Sequence, residues 1–114
     1  MPRLVNVTAG TVLVKDLELA DTWWRRFRGL MMRRRLAPDS GLLIEPCASI
    51  HMMWMLFPID AIWLDREHRV TKVSRAIPPW VGAARGGKSS HAVVELPRGA
   101  AATVQRGDQL SVEA

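Results

Sequence analysis

Prolines, glycines and polar turns divide this sequence into short apolar segments, and this punctuation limits the fold more than any other feature. Segments of about four to eight residues suit β-strands and are too short for typical helices. Strands are predicted at residues 4–7, 11–19, 49–56, 59–64, 70–77, 91–96 and 109–113, with a short buried strand at 42–44. The first two would form a hairpin with its turn at Gly10. The sequence therefore predicts a mainly β domain of about seven strands.

Two short helices are predicted beside the strands. Trp23, Phe27 and Leu30 are spaced four and three residues apart, which places them on one helical face. A second helix is predicted over Gly99–Gln105, after Pro97. The expected architecture is α+β, with a small curled antiparallel or mixed sheet, or a partly closed β-barrel, covered by the two helices.

The segment Pro78–Ser90 is rich in glycine, proline and serine, and we predict a long loop around Trp80. Long loops in small domains are often functional. The sequence shows no repeat and no linker, and its 114 residues are enough for one core, so a single domain over residues 1–114 is expected.

The positive charge of the chain is concentrated in one window. The sequence carries 16 Lys and Arg against 11 Asp and Glu, a formal charge of +5. Six arginines and no acid lie between residues 25 and 35, and the rest of the chain has a formal charge of −1. These are Arg25, Arg26, Arg28, Arg33, Arg34 and Arg35. Without a motif for nucleic-acid recognition, this patch indicates a solvated surface, and a site for an anionic partner is the alternative.

The N-terminal residues and the cysteine content favour the cytoplasm. The first ten residues contain no apolar run of signal-peptide length. The longest apolar stretch, Met52–Ile59, is far shorter than the ~20 residues of a membrane span. The single cysteine excludes an internal disulfide and is consistent with a reducing compartment. We therefore expect a cytoplasmic protein without a membrane span.

Cys47, His51 and Asp60 are the densest group of reactive side chains. A thiol, an imidazole and a carboxylate are the groups that a nucleophile, its base and an orienting acid require. A lone cysteine after Pro46, among apolar residues, is more typical of a small buried hydrophobe. The chain lacks the paired short spacings of Cys and His that structural zinc sites use, so neither a metal nor a cofactor is expected.

Asp60 lies on an apolar strand face with Ile62 and Leu64, so its carboxylate needs a partner. Backbone amides or an arginine such as Arg28 would satisfy it. The functional alternative is an acid beside His51 in a pocket. The sequence leaves both interpretations open.

Three other titratable residues are assigned to the surface. His91 and Glu95 alternate with apolar residues, and we expect them on a solvated strand face. His68 is expected to be a simple turn residue.

Three groups of residues resemble the motifs of the domain-of-unknown-function 192 family. They are Arg28–Met31 with Arg33, Leu36 and Gly41–Leu43; then Cys47, Ser49–His51, Met55, Pro58–Asp60 and Leu64–Asp65; and last Val93–Pro97, Gly99, Gly107 and Asp108. The resemblance covers about residues 10–113 and implies a small, β-rich single domain of no assigned activity. Met52 departs from the pattern, because relatives often carry Thr there, and a possible polar site loses a hydroxyl.

The sequence favours a non-enzymatic accessory module that binds an unidentified small molecule or protein. Its groove is expected near His51, Asp60 and the 78–90 loop. The candidate ligand-binding residues are Cys47, His51, Met55, Asp60 and Trp80. A small enzyme using Cys47, His51 and Asp60 is the alternative, and binding of nucleic acid or an acidic surface through residues 25–35 is a further one.

Overall fold

The fold of the described residues consists of β-strands joined by turns. The computed structural model describes residues 2–20, 37–47, 49–51, 57–79 and 83–114, with the backbone alone at 49–51 and 83. Its ten strands are β1 (Arg3–Asn6), β2 (Thr11–Val14), β3 (Asp16–Ala20), β4 (Ser40–Ile44), β5 (Ser49–His51), β6 (Ile59–Leu64), β7 (Val70–Ile77), β8 (Ala83–Arg85), β9 (Ala92–Pro97) and β10 (Leu110–Glu113). They form sheets ordered β10-β1-β2, β3-β4-β9-β6-β7 and β5-β8.

The five-stranded sheet is the centre of the structure. Its strands β6 and β9 are buried almost throughout, as expected for apolar segments with both sheet faces covered. Strands β3 and β4 are parallel, whereas β4, β9, β6 and β7 pair antiparallel. The sheet is therefore mixed.

Two apolar clusters cover the two faces of this sheet. The first core contains Ile62 and Val94 of the sheet together with Leu4 and Val14 of the three-stranded sheet. The second core forms around Trp63 on the opposite face and includes Leu42, Ile44, Cys47, Ile59, Ala61, Ile77 and Val93. Because successive strand residues point to opposite faces, one strand contributes to both cores.

The mainly β class and the mixed sheet are confirmed, whereas the barrel alternative and the second helix are wrong. The described strands form separate sheets and do not close into a barrel. Residues 99–105 form turns instead of a helix: Ala102 N donates to Gly99 O, and Gly99 has φ +90°. The amides of Gly99 and Ala101 also bind a side chain of β6, which holds the turns of this segment against the sheet. The helix predicted around Trp23 lies outside the described residues.

Two strand boundaries also differ from the sequence interpretation. The predicted strand 11–19 bends at Lys15 and continues in another sheet. Val14 and Leu17 both enter the first core, and residues three apart on a straight strand would face opposite ways. The predicted 78–90 loop contains β8, which pairs with β5.

Candidate functional site

The carboxylate of Asp60 ties β6 to two neighbouring backbone segments. Its side chain is buried, with the residue 1% exposed. Oδ1 accepts a hydrogen bond from Ala76 N at 2.9 Å, and Oδ2 accepts from Gly99 N and Ala101 N at 3.0 and 3.1 Å. Three amide donors satisfy a buried carboxylate. The interpretation of Asp60 as an acceptor of backbone hydrogen bonds is confirmed, whereas a pairing with Arg28 falls outside the described residues.

Cys47 lies on the other side of the five-stranded sheet. It is buried in the second core with Ile59 and Ala61. Asp60 stands between these two residues on β6 and binds the amide of Ala101, which belongs to the first core. The sheet therefore separates Cys47 from Asp60, and the two do not form one site.

His51 ends β5, and its backbone pairs with Ala83 of β8. This small sheet packs through Ala84 against the second core, which is the side of Cys47. Met55, Trp80 and the six arginines between residues 25 and 35 lie outside the described residues, and their roles stay predictions.

Two histidines and one glutamate converge at the end of β4. His68 Nε2 lies 3.3 Å from Glu45 Oε1 and 3.2 Å from Oε2, and His91 Nε2 lies 3.6 Å from the same Oε2. The three side chains are 24 to 32% exposed, so they are shielded but reachable from solvent. An imidazole donates or accepts according to its tautomer, so this cluster offers a ligand both functions.

The backbone around these residues explains their convergence. His68 adopts φ +64° in the β6–β7 turn, and its N–H donates to Asp65 O at 3.1 Å. His91 O accepts from Cys47 N at 2.7 Å, which joins the start of β9 to the segment after Glu45. The prediction that His68 is a simple turn residue missed this contact, because the partner is 23 residues away in sequence.

An open cleft of about 440 Å³ ends at this cluster. Its volume is within the range typical of small-molecule sites. Apolar side chains supply most of the lining, and Leu19 is 53% exposed. The lining residues are Leu19, Ala20, Leu43, Glu45, His68 and Val112. The cleft thus combines an apolar wall with a carboxylate and an imidazole.

Glu95 is a second residue that the sequence interpretation misplaced. The alternation of residue types predicts a solvated face shared with His91, but Glu95 is 0% exposed. It pairs with Leu42 on one side and Ala61 on the other, both in the second core. The sequence did carry a signal of this burial. Glu95 lies inside the apolar run Val93–Leu96, and an acid is unusual on a central strand.

The described part of the chain contains no group of three or more His, Cys, Asp or Glu placed to hold a metal ion. Glu45 forms a hydrogen bond with His68, and His91 approaches the same carboxylate at 3.6 Å. Among these same residues, no helix has the length and apolar character needed to cross a membrane.

The fold and the cleft define a small two-core β-sheet domain with an amphiphilic surface cleft. The chain belongs to the DUF192 family, described as Uncharacterized ACR, COG1430, which it matches over residues 5–112. The resemblance seen in the sequence motifs is confirmed.

Two UPF0127 proteins from Thermococcus support this assignment, and two solved structures share the fold. The chain is 36% identical to a UPF0127 protein of Thermococcus gammatolerans over 95% of this chain and 73% of the relative. It is 38% identical to one of Thermococcus sibiricus over 84% of this chain and 64% of the relative.

A protein of unknown function from Novosphingobium aromaticivorans superposes with TM-score 0.83 and 27% identity, covering 97% of this chain and 84% of its own. A putative transcription regulator from Sinorhizobium meliloti gives TM-score 0.79 and 25% identity, covering 97% of this chain and 91% of its own.

Proposed function

We propose that this protein is a binding module for small amphiphilic molecules and that the ligand occupies the cleft between β3, β4 and β10. One observation carries the proposal: apolar walls lead to a carboxylate, Glu45, that two imidazoles contact. Apolar pockets with a few convergent polar groups are the usual form of small-molecule sites.

The chemistry of the cleft favours a ligand with an apolar body and a hydrogen-bond-donating head. Leu19, Leu43 and Val112 offer contacts to the body. A carboxylate accepts hydrogen bonds and attracts a cation, so Glu45 favours an amine or a hydroxyl over an acid. Leu19 is exposed, so covering its side chain with the ligand would release water and make the free energy of binding more favourable.

This cleft replaces the groove that the sequence suggested around Asp60. The Asp60 carboxylate is already occupied by three backbone amides, so it offers a ligand little. His51, Met55 and Trp80 stay candidates for a second contact region, and Cys47 is buried in the second core.

A matched series of six-carbon probes tests the proposal. Hexylamine, hexanol and hexanoate share one tail and differ in the head group, and each is titrated into ¹⁵N-labelled protein. We expect saturable shifts at Leu19, Glu45 and His68 with hexylamine, weaker shifts with hexanol and none with hexanoate. Shifts elsewhere, or equal shifts with all three probes, would contradict the proposed site.

Two variants separate the cleft from general surface hydrophobicity. Leu19→Ser removes an apolar wall, and Val7→Ser is its control, because Val7 is 54% exposed but does not line the cleft. We expect Leu19→Ser to weaken hexylamine binding about tenfold, in line with ~1.5 kcal/mol for an apolar side chain, and Val7→Ser to leave it unchanged. Glu45→Gln should abolish the preference for the amine.

Nucleic-acid binding is the second candidate function. Six arginines lie between residues 25 and 35, and the Sinorhizobium neighbour is described as a putative transcription regulator. Contacts to phosphates would produce an affinity that falls steeply with salt. A gel shift with duplex DNA at low salt that is lost in Arg33→Gln/Arg34→Gln/Arg35→Gln would support this alternative, and no shift would exclude it.

A further inference from the structure

A second groove, of about 530 Å³, opens on a different part of the surface. It lies between the β6–β7 turn, the segment after β8 and the turn before β10. Its charged lining residues are Asp65, Arg69, Lys72, Lys88 and Arg106. None of them lines the Glu45 cleft.

The groove carries a large excess of positive charge. Four of its side chains are cationic and one is acidic. The acid, Asp65, is engaged by its own turn, because its Oδ1 accepts the backbone N–H groups of Glu67 and Arg69, each at 2.9 Å. Glu67 lines an adjoining cleft rather than this groove. A concave surface of one charge sign concentrates ions of the opposite sign.

Two of the cations are held in place by neutral acceptors. Arg69 Nη1 donates to Gly107 O at 3.0 Å, and Lys72 Nζ donates to Arg85 O at 2.9 Å. A carbonyl orients a cation without cancelling its charge. Arginine has five N–H donors and lysine three, so both retain donors for a ligand.

The other two cations, Lys88 and Arg106, come from two separate loops along the groove. Both are exposed, and among the described residues neither forms an ion pair with a carboxylate. Ser89 adds a hydroxyl beside Lys88. A Cβ at Gly87 would meet no atom within 4 Å, so a ligand can approach the backbone there.

We propose that this groove binds the phosphate group of a small phosphomonoester. A phosphate dianion matches cations that approach from several directions, because its oxygens accept several charge-assisted hydrogen bonds at once. The groove is large enough for the phosphate and an attached group of sugar or nucleoside size. The site is independent of the Glu45 cleft, so either proposal can fail alone.

Titration with inorganic phosphate, ribose 5-phosphate and ribose tests the proposal. Isothermal calorimetry gives the affinity, and ¹H–¹⁵N spectra locate the site. We expect both phosphates to bind saturably with shifts at Gly87, Lys88 and Gly107, and ribose not to bind. Shifts confined to Leu19, Glu45 and His68 would assign the phosphate to the other cleft and overturn this proposal.

Charge-matched variants distinguish a built site from the general basicity of the chain. Lys88→Gln and Arg106→Gln each remove one groove cation, whereas Lys15→Gln and Arg98→Gln remove an exposed cation elsewhere. We expect each groove variant to weaken phosphate binding about tenfold and each control to change it less than about twofold. All four positions are exposed, so the variants should fold, and thermal unfolding checks this.

Three further results would overturn the proposal. The first is the absence of saturable phosphate binding in low-salt buffer. The second is an equal loss of affinity in the groove and control variants, which would indicate diffuse attraction. The third is binding of a single-stranded oligonucleotide far more tightly than ribose 5-phosphate, with a salt dependence that corresponds to several phosphate contacts. This result would identify the groove as a nucleic-acid surface.

Discussion

Replacing Asp60 by asparagine should destabilise this protein far more than its similar size suggests. Asparagine keeps one acceptor oxygen and replaces the other by an NH₂ group, which only donates. If the NH₂ group takes the place of Oδ1, Ala76 N–H faces a donor. If it takes the place of Oδ2, both Gly99 N–H and Ala101 N–H face a donor. No orientation satisfies all three amides.

The expected cost of Asp60→Asn is about 4 kcal/mol. In the cheaper orientation one amide loses its acceptor, which costs about 1–3 kcal/mol. The two remaining hydrogen bonds change from charge-assisted to neutral, and each weakens by about 1 kcal/mol. A domain of this length has a total stability of about 5–15 kcal/mol, so the loss is a large fraction of it.

Urea unfolding followed by tryptophan fluorescence and circular dichroism measures this change. We expect the free energy of unfolding to fall by about 4 kcal/mol and the Tm by about 15 °C. Asp39→Asn is the control, because Asp39 is exposed and its side chain carries no hydrogen bond within the described ranges. A change below about 0.5 kcal/mol in Asp60→Asn, or an equal loss in both variants, would refute the assigned role of the carboxylate.

Two further predictions concern backbone positions. Ala76 has φ +52°, so Ala76→Gly should relieve left-handed strain. Glycine also raises the entropy of the unfolded chain, so the net gain expected in urea unfolding is about 0.5 kcal/mol. A less stable variant would contradict this. A Cβ at Gly41 would lie 2.8 Å from Leu96 Cδ2, so Gly41→Ala should cost about 2 kcal/mol in the same assay. Gly87→Ala is its control, since its Cβ would meet nothing within 4 Å, and an equal loss in both variants would argue against packing as the cause.

The strand segments were predictable because their signals are local. Alternating or continuous apolar residues between turn formers located β6, β7 and β9 within about one residue of their observed ends. Gly10, at φ +71°, lies at the predicted hairpin turn. These features depend on neighbours within a few positions, which the sequence displays directly.

Long-range pairing decided what local patterns misjudged. The segment 99–105 has a helix-compatible composition, but it folds as turns whose Gly99 and Ala101 amides bind Asp60, about 40 residues earlier. Glu95 follows the alternation of a half-exposed strand, yet β9 lies in the middle of a sheet with both faces covered. Tertiary context overrides local preference in both cases.

The candidate site was predicted least well, because a site is defined by side chains that are distant in sequence. Asp60 was correctly singled out, since a carboxylate on an apolar face must find partners. Its separation from Cys47 follows from the packing of the two cores, and the contacts of Glu45 with His68 and His91 follow from three turns meeting at one end of the sheet.

Residue order alone thus established a β-rich chain, its family and the need of Asp60 for hydrogen bonds, because each depends on residue type and short spacing. The folded chain decided which face each strand presents, which carboxylates are buried and where the Glu45 cleft and the cationic groove lie. Those properties arise from contacts between strands and turns that are tens of residues apart, and the free energy of these contacts appears only when the sheets pack.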